Sequence, residues 1–309
     1  MNNHQGPIVV VGSINLDLVV TSQRVPVAGE TLTGRQFQTH PGGKGANQAV
    51  AAARLGYPVR MVGRLGTDSF GRELRTHLDH AGVDTSAVQS VEGASGVALI
   101  IVEEHGENCI VVVPGANAQV TSEYVDSQWE CIRDAGMVLA QLEIPLETIE
   151  HLAHRCSHSG IPFMLDPAPA RALPPKLLSY VTWFTPNETE AAFYTPAYST
   201  SNTDPGQAAR LFLTQGATNV ILKMGSRGAW LAAPGIDRQV PAITVNAVDT
   251  TAAGDAFNGA FAVALMRGNS PVESARFATA AAACSVTRHG AQPSMPTLGE
   301  VESLLAVIR

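Results

Sequence analysis

Apolar residues in this chain fall into short runs closed by glycine and longer stretches rich in alanine, and the two kinds alternate. Ile8 to Val11 is an unbroken apolar run ending at Gly12, the pattern of a strand buried on both faces. Leu16 to Val20 is a second apolar stretch with a single charge, Asp17. Residues 21–39 are rich in Thr, Gln and Gly and alternate at Thr31-Leu32-Thr33, which predicts a strand or two with one solvated face. Gly45 to Leu55 reads as a small-residue helix closed by Gly56, and Val59 to Val62 as another buried strand. Gly96–Val102 and Cys109–Val113 flank a polar turn, Glu103 to Asn108, and predict a hairpin. Together with the 16–39 segment it forms one small sheet from two separate stretches.

Beyond the hairpin the rhythm is regular. Strand candidates are Met137–Leu142, Phe163–Asp166, Tyr180–Thr185 and Val220–Lys223, with helical candidates such as Leu146–Cys156 and Pro205–Gln215 between them. Two further helices, about Ala253–Met266 and Pro271–Ser285, carry Ala at most inward positions, which allows close packing. Such alternation predicts an α/β fold of three layers, a mostly parallel central sheet covered on both faces.

Composition narrows the chemistry. With 309 residues the chain is long enough for one large domain plus a small appendage. Aromatics are only 6%, so the core must be built from Val, Ile, Leu and Ala. Lys and Arg total 20 against 27 Asp and Glu, a net charge of −7, and no basic run occurs. A nucleic-acid partner needs a basic footprint and is not expected. A nucleotide needs only local amides and one or two cations, so the charge balance does not disfavour it. Cys109, Cys131, Cys156 and Cys284 form no CxxC pair and read as buried free thiols in a reducing compartment, the cytoplasm. The N-terminal stretch lacks a basic region before its first strand, and no 18-residue apolar span occurs, so neither a secretory leader nor a membrane helix is expected.

Three glycine-rich stretches carry candidate chemistry. The first runs from Pro41 through Gly42, Gly43, Lys44, Gly45, Ala46 and Asn47 to Gln48. Its glycines let a ligand approach the backbone, while Lys44 and Asn47 offer donors at the mouth of a helix. Lys44 is followed by Gly45 rather than Ser or Thr, so this is not a Walker A loop. The plain alternative is a strand-to-helix turn with no ligand. The second runs from Asp249 to Gly259, where the small residues Ala252, Ala253 and Gly254 open a helix and Asp255 lies in its first turn. First-turn amides favour an anion. An aspartate there can simply stabilise the helix N-terminus, or it can act as a base that takes the proton of a hydroxyl attacking a phosphoryl group. The third, Gly225-Ser226-Arg227-Gly228, follows a strand directly, as a nucleotide loop does, and turns of that kind without function are common.

These pieces together resemble the ribokinase branch of the PfkB carbohydrate kinases over essentially the whole chain. The resemblance rests on four blocks in order: Gly12 to Asp17, Gly42 to Asn47, Thr185 to Glu190, and Asp249 to Asp255, the last similar to the family's DTxxAGD pattern. It implies a nine-stranded, mostly parallel core with a small β-sheet lid. The large domain would comprise residues 1–14, 40–93 and 115–309, and the lid residues 15–39 and 94–114, with homodimerisation through the lids. It implies ATP-dependent phosphorylation of D-ribose at O5. The sugar site would comprise Asn15, Asp17, Gly42, Gly43, Lys44, Gly45, Asn47, Glu143 and Asp255. Asp255 would be the base, with the amides of Ala252, Ala253 and Gly254 as anion hole. The nucleotide side would comprise Asn187, Glu190, Lys223, Met224, Gly225, Ser226, Arg227, Gly228, Gly254 and Thr279, with Asn187 and Glu190 organising Mg2+ through waters. A K+ site would fall on Asp249, Thr251, Ser285, Arg288, Gly290 and Ser294. Lys223 and Thr279 depart from the family pattern, which has Thr and His or Asn there, and leave nucleotide preference open.

Other groupings carry less. His151, His154 and His158 share a candidate helix but lack a carboxylate or cysteine arranged with them, and read as a solvated or partly packed face. Asp68 and Glu73 read as cap and surface residues. Competing functions are a kinase of 2-deoxyribose, a ketohexose or a nucleoside, a non-catalytic sugar or nucleotide sensor, and a dehydrogenase. No GxGxxG follows the first strand, which disfavours the last.

Overall fold

The alternation within Ile8–Val11 decides the layering. In the computed structural model, which describes residues 6–104, 107–195 and 204–307, Ile8 and Val10 pack into one hydrophobic cluster and Val9 and Val11 into another on the opposite face of the sheet. In chain order the strands are β1 (Ile8–Val11), β2 (Asn15–Ser22), β3 (Gln36–Gly42), β4 (Val59–Gly66), β5 (Asp84–Val91), β6 (Gly96–Glu103), β7 (Asn108–Val113), β8 (Met137–Gln141), β9 (Phe163–Asp166), β10 (Trp183–Phe184), β11 (Asn219–Lys223), β12 (Ala229–Ala233) and β13 (Ile236–Val240). The helices are α1 (Lys44–Arg54), α2 (Ser69–His80), α3 (Ser122–Ser127), α4 (Trp129–Ile132), α5 (Leu146–His158), α6 (Glu188–Tyr194), α7 (Pro205–Thr214), α8 (Ala253–Met266), α9 (Pro271–Ser285) and α10 (Leu298–Val307).

The large sheet has nine strands in the order β13-β12-β11-β10-β9-β8-β1-β4-β5. It is parallel from β5 to β11, and only the β11-β12-β13 edge is antiparallel. Helices α1, α2, α8, α9 and α10 bury their apolar residues on one face and α3 to α7 on the other. The small sheet, β3-β2-β6-β7, is separate. Its strands β2 and β6 are parallel, and β3 and β7 flank them antiparallel. The expected three-layer fold and hairpin are therefore present; turn residues His105 and Gly106 lie outside the described residues.

Local expectations needed correction in three places. The candidate strand Tyr180–Thr185 shrinks to Trp183–Phe184, because Leu177–Tyr180 coils into a 3-10 turn whose closure uses the Val181 amide. Thr31–Thr33 joins no strand; the second strand of that region is β3, which continues through residues 40–42. All four cysteines are free, but only Cys156 is buried, and Cys109 lies exposed on β7. Asp68 does cap α2, its carboxylate accepting from the Gly71 amide. His151 pairs with Asp126, and His154 stacks on His158, as a partly packed surface face. Among the described residues no helix is long and apolar enough to cross a membrane.

The crossing of α1 and α8 fixes the geometry of the site, since both helices start at it. They approach closely at Gly259, where an added Cβ would stand 2.7 Å from Ala51 Cβ and 2.9 Å from the Gln48 carbonyl oxygen. Gly259→Ala should therefore destabilise the fold by about 1–3 kcal/mol through overpacking. A thermal melt should show the drop, and Ala51→Gly in the same chain should restore part of it; an unchanged melting temperature would refute the tight crossing.

Candidate active site

Every parallel strand that matters here ends on the same edge of the sheet, where open α/β sheets hold ligands. A cleft of about 640 Å³ opens there. It is lined by Asn15 and Asp17 of β2, Gly43, Lys44 and Asn47 at the start of α1, and Glu143 after β8. Asp166 of β9, Asn187 and Glu190 around the start of α6, and Lys223 of β11 line it further along, with Gly225, Ser226, Gly228, Thr279 and residues 250–255. The small sheet lines it with Ala98, Ile100, Ile110 and Val112.

The glycines of the first loop make room for charges. A Cβ on Gly42 would lie 2.3 Å from an Asp17 carboxylate oxygen, so the carboxylate occupies the space a side chain would fill. Gly43 has φ 86°, and a Cβ there would stand 2.7 Å from the Asn15 amide nitrogen. Asp17 is thereby held beside two other acids. Burial, then Glu143 and Asp255, push its carboxyl up to about 7 against the pull of Lys44. Glu143 is oriented by Ser13, whose hydroxyl donates to it at 2.5 Å, and by the Lys44 amide at 3.0 Å. Burial opposes the charge on Lys44, but Asp255, Glu143, Asp166 and Glu190 outweigh it and hold the ammonium above the ordinary lysine range.

Asp255 is 5% exposed and sits in the first turn of α8. That helix opens on Ala252 in the left-handed region, φ 58°, the one described non-glycine residue with positive φ. The Asp255 carboxylate accepts from Asn47 Nδ2 at 3.0 Å and Gln48 Nε2 at 3.1 Å. Burial raises its proton affinity most, Lys44 opposes and Asp166 reinforces, for a value of about 6. It is ionised at neutral pH yet near enough to accept a proton, the range a general base needs. The Gly254 and Asp255 amides are first-turn donors without intrahelical acceptors. The Ala253 amide instead donates to the Thr250 carbonyl at 3.2 Å, so it is less free than expected for an anion hole. Asn47 Nδ2 donates to Asp255 with one of its two N–H groups, leaving the other able to donate to a ligand, and its buried Oδ1 has no partner among the described residues.

On the far side of the cleft, Asn187 and Glu190 form a capping box on α6. Asn187 Oδ1 accepts from the Glu190 amide at 2.8 Å, while Glu190 accepts from the Asn187 amide at 2.7 Å and side chain at 2.9 Å. With both Glu190 oxygens so engaged, the pair suits a divalent ion met through waters rather than direct ligation. Thr279 lines the cleft, its hydroxyl donating back to the Ala275 carbonyl at 2.8 Å. Met224 and Arg227 do not line it: the Met224 side chain is buried in the core and the Arg227 guanidinium pairs outward with Glu188. Asp249 staples two segments below the anion loop, accepting from the Thr251 amide at 2.8 Å and the Gly290 amide at 2.9 Å. Ser285 and Ser294 are buried nearby, and the Arg288 guanidinium turns away to Glu300 at 2.9 Å.

Residues 6–298 match the model of the pfkB family carbohydrate kinases. The chain belongs to that family. Among similar proteins, the ribokinase of Bacillus subtilis (strain 168) is 46% identical over 300 residues, covering 97% of this chain and 99% of the relative. A deoxyribokinase of Salmonella typhimurium is 36% identical over 302 residues, covering 97% of this chain and 99% of the relative. The structure of Arabidopsis thaliana ribokinase complexed with ribose and ATP superposes with a TM-score of 0.91 at 39% identity, covering 97% of this chain and 98% of that one.

Within this pfkB scaffold, sequence reasoning missed Asp166, Gln48 and Ser13. Asp166 ends a strand on the ligand edge, a position that marks candidates in any open α/β sheet. Gln48 and Ser13 touch the site only through other side chains, which no local pattern reveals.

The Asp17 carboxyl, raised from 3.8 to about 7 in the folded state, stays protonated there while the unfolded chain ionises. The stability it contributes is full below about pH 4 and is lost as pH rises through 7. Asp17→Asn removes that loss. It should stabilise the protein by less than about 1 kcal/mol at pH 5 and by about 2 kcal/mol at pH 8, the shift at about 1.4 kcal/mol per unit discounted for remaining solvent contact. Melting temperatures of both proteins at pH 5 and 8 test this; a gain that does not grow with pH would contradict it.

Proposed function

We propose that this chain transfers the γ-phosphoryl group of ATP to O5 of D-ribose. The reading rests on one observation above others: a buried carboxylate of raised proton affinity, Asp255, shares a helix start with free amides, in a cleft that also presents Asp17 and Asn47. The family and the ribokinase relatives support the reaction class. Asp17 accepts hydrogen bonds from two adjacent hydroxyls, one to each carboxylate oxygen, and Asn47 Oδ1 accepts a third. A sugar lacking the 2-hydroxyl leaves one of these buried acceptors unsatisfied, at about 1–3 kcal/mol, so ribose is preferred over 2-deoxyribose. The ribose O5 oxygen attacks the γ-phosphorus, the bond from that phosphorus to the β–γ bridging oxygen breaks, and the hydroxyl proton passes to Asp255. The Gly254 and Asp255 amides receive the charge that builds on the transferred group.

Asn187 and Glu190 would hold Mg2+ through waters, and a bound ion would supply charge neutralisation at the nucleotide phosphates. Asp249, with carbonyls of Thr251, Ser285, Arg288, Gly290 and Ser294, would hold K+, which would supply a fixed positive charge beside the loop that carries the anion-binding amides. Residues 15–39 and 94–114 act as the lid. Two chains pair through it, because all six residues of β7 are exposed and Ile110, Val111, Val112 and Val113 are each about half so, at 51%, 56%, 46% and 48%. An unpaired apolar edge strand of that length is otherwise an aggregation hazard. We place the protein in the cytoplasm, where ATP is made and consumed.

Asp255→Asn should lower kcat about 10²–10⁴-fold while leaving the dissociation constants for ribose and ATP within about threefold. An ADP-release assay and calorimetry check this, and near-native turnover would remove Asp255 from its role. The same assay over pentoses, hexoses and nucleosides decides the acceptor. For the assembly, Val111→Lys should shift sedimentation from dimer to monomer; a wild-type monomer, or a variant that remains dimeric, counts against pairing through β7.

A further inference from the structure

Among the described residues, one ion pair is nearly buried at both ends: Lys223 with Asp166, side chains 11% and 3% exposed. Lys223 Nζ donates to Asp166 Oδ1 at 2.9 Å, and Gln48 Nε2 donates to Asp166 Oδ2 at the same distance. The same Gln48 nitrogen donates to Asp255 Oδ1 at 3.1 Å. Gln141 Nε2 donates to Gln48 Oε1 at 2.7 Å and fixes which way the Gln48 amide points. One amide group therefore joins two carboxylates, one of which carries the cleft's second ammonium. That ammonium lies against the anion loop, 3.5 Å from where a Cβ on Gly254 would stand. A phosphate approaching the first-turn amides of α8 meets Lys223 there.

We propose that Lys223 is a shared cation, parked by Asp166 in the empty cleft and drawn onto a nucleotide phosphate when one arrives, and that Asp166 is the positioning residue which, through Gln48, ties that exchange to the Asp255 carboxylate. The proposal rests on the nucleotide site described above. Its consequence is electrostatic. The charged groups facing Asp255 are Lys44 from α1, Asp166 from β9 and Asp17 from β2; Glu190 from α6 and Lys223 from β11 face Asp166. Once Lys223 moves to phosphate, the Asp166 charge is no longer compensated, and the proton affinity of Asp255 rises. The base strengthens when the phosphoryl donor is in place and stays weaker in its absence.

Two readouts separate this from a merely structural role, which would weaken binding in either variant. In calorimetric titrations with ADP in EDTA at pH 8, Lys223→Met should weaken binding about tenfold and Asp166→Asn should tighten it about fivefold. In the Lys223→Met chain, Asp166→Asn should tighten binding less than twofold, because the competition it relieves is gone. Tightening at least as large without Lys223 would mean that Asp166 only repels phosphate, and would overturn the sharing. Weaker or unchanged ADP binding in Asp166→Asn alone would overturn it as well. In turnover, Asp166→Asn should move the acid limb of kcat down by about half a pH unit, since it removes a charge that raises Asp255; an unmoved or raised limb overturns the link through Gln48. Thermal melts check that the variants fold, and Asp166→Ser serves where the Asn variant does not. If the wild-type chain binds no ADP, the nucleotide site itself falls, and the proposal with it. If it binds ADP but the variants break the pattern, the proposal alone falls.

Discussion

The ammonium of Lys44 is the charge on which the site depends. Asp255, Glu143, Asp166 and Glu190 all act on it, and Asp17 is held down by it. Carboxylates crowded into a half-dry cleft repel one another and lose solvation, and they stay ionised only if a cation and enough donors stand among them. Lys44 provides that cation from the first residue of α1, where the chain has just turned through two glycines. Burial still outweighs it at Asp17 and Asp255, whose carboxyls stay above the ordinary aspartate range. A base with a value of about 6 takes a proton more readily than an ordinary aspartate.

Convergence of this kind requires a fold that gathers distant segments at one edge. The acids come from β2, β9, α8 and the turn after β8, and Gln48 reaches Asp166 and Asp255 across 118 and 207 residues of sequence. The parallel sheet does this because every crossover returns the chain to start the next strand at the same end, so strand ends accumulate on one edge. Small residues then let α1 and α8 approach until Asn47 and Gln48 can hold Asp255. The placement of Asp255 is thus a product of helix packing at Ala51 and Gly259, one turn further along each helix.

How much of this could be read from the sequence follows from which forces are local. The buried strand at Ile8–Val11, the alanine-rich α8 and α9, and the hairpin of β6 and β7 declare themselves by periodicity and turn residues, and the structure has them. The glycine loop at 42–45 and the helix start at 252–255 declare themselves because close approach and positive φ demand particular residues. Tyr180–Thr185 misled because an apolar stretch does not say whether its amides will pair with a neighbouring strand or close a 3-10 turn. Asp166 was legible only as the end of a strand; its pairing with Lys223 depends on two strands that become near neighbours through tertiary folding. That Asn47 also donates to Asp255 was hidden for the same reason, since nothing near it in sequence indicates the contact.

The departure at position 223 fits this electrostatic frame. A lysine at the end of β11 would be a poor choice in isolation, because a buried ammonium facing an empty cleft is costly. It is tolerable here because β9 ends in an aspartate at hydrogen-bond distance, and removing either partner alone would leave an uncompensated buried charge. The two positions therefore form one unit, in which the acid makes the cation affordable and the cation restrains the acid from further raising Asp255. A neutral residue at 223 with Asp166 retained would leave that acid free to raise Asp255 further. The pair, rather than either residue, sets the charge at the β9–β11 end of this cleft.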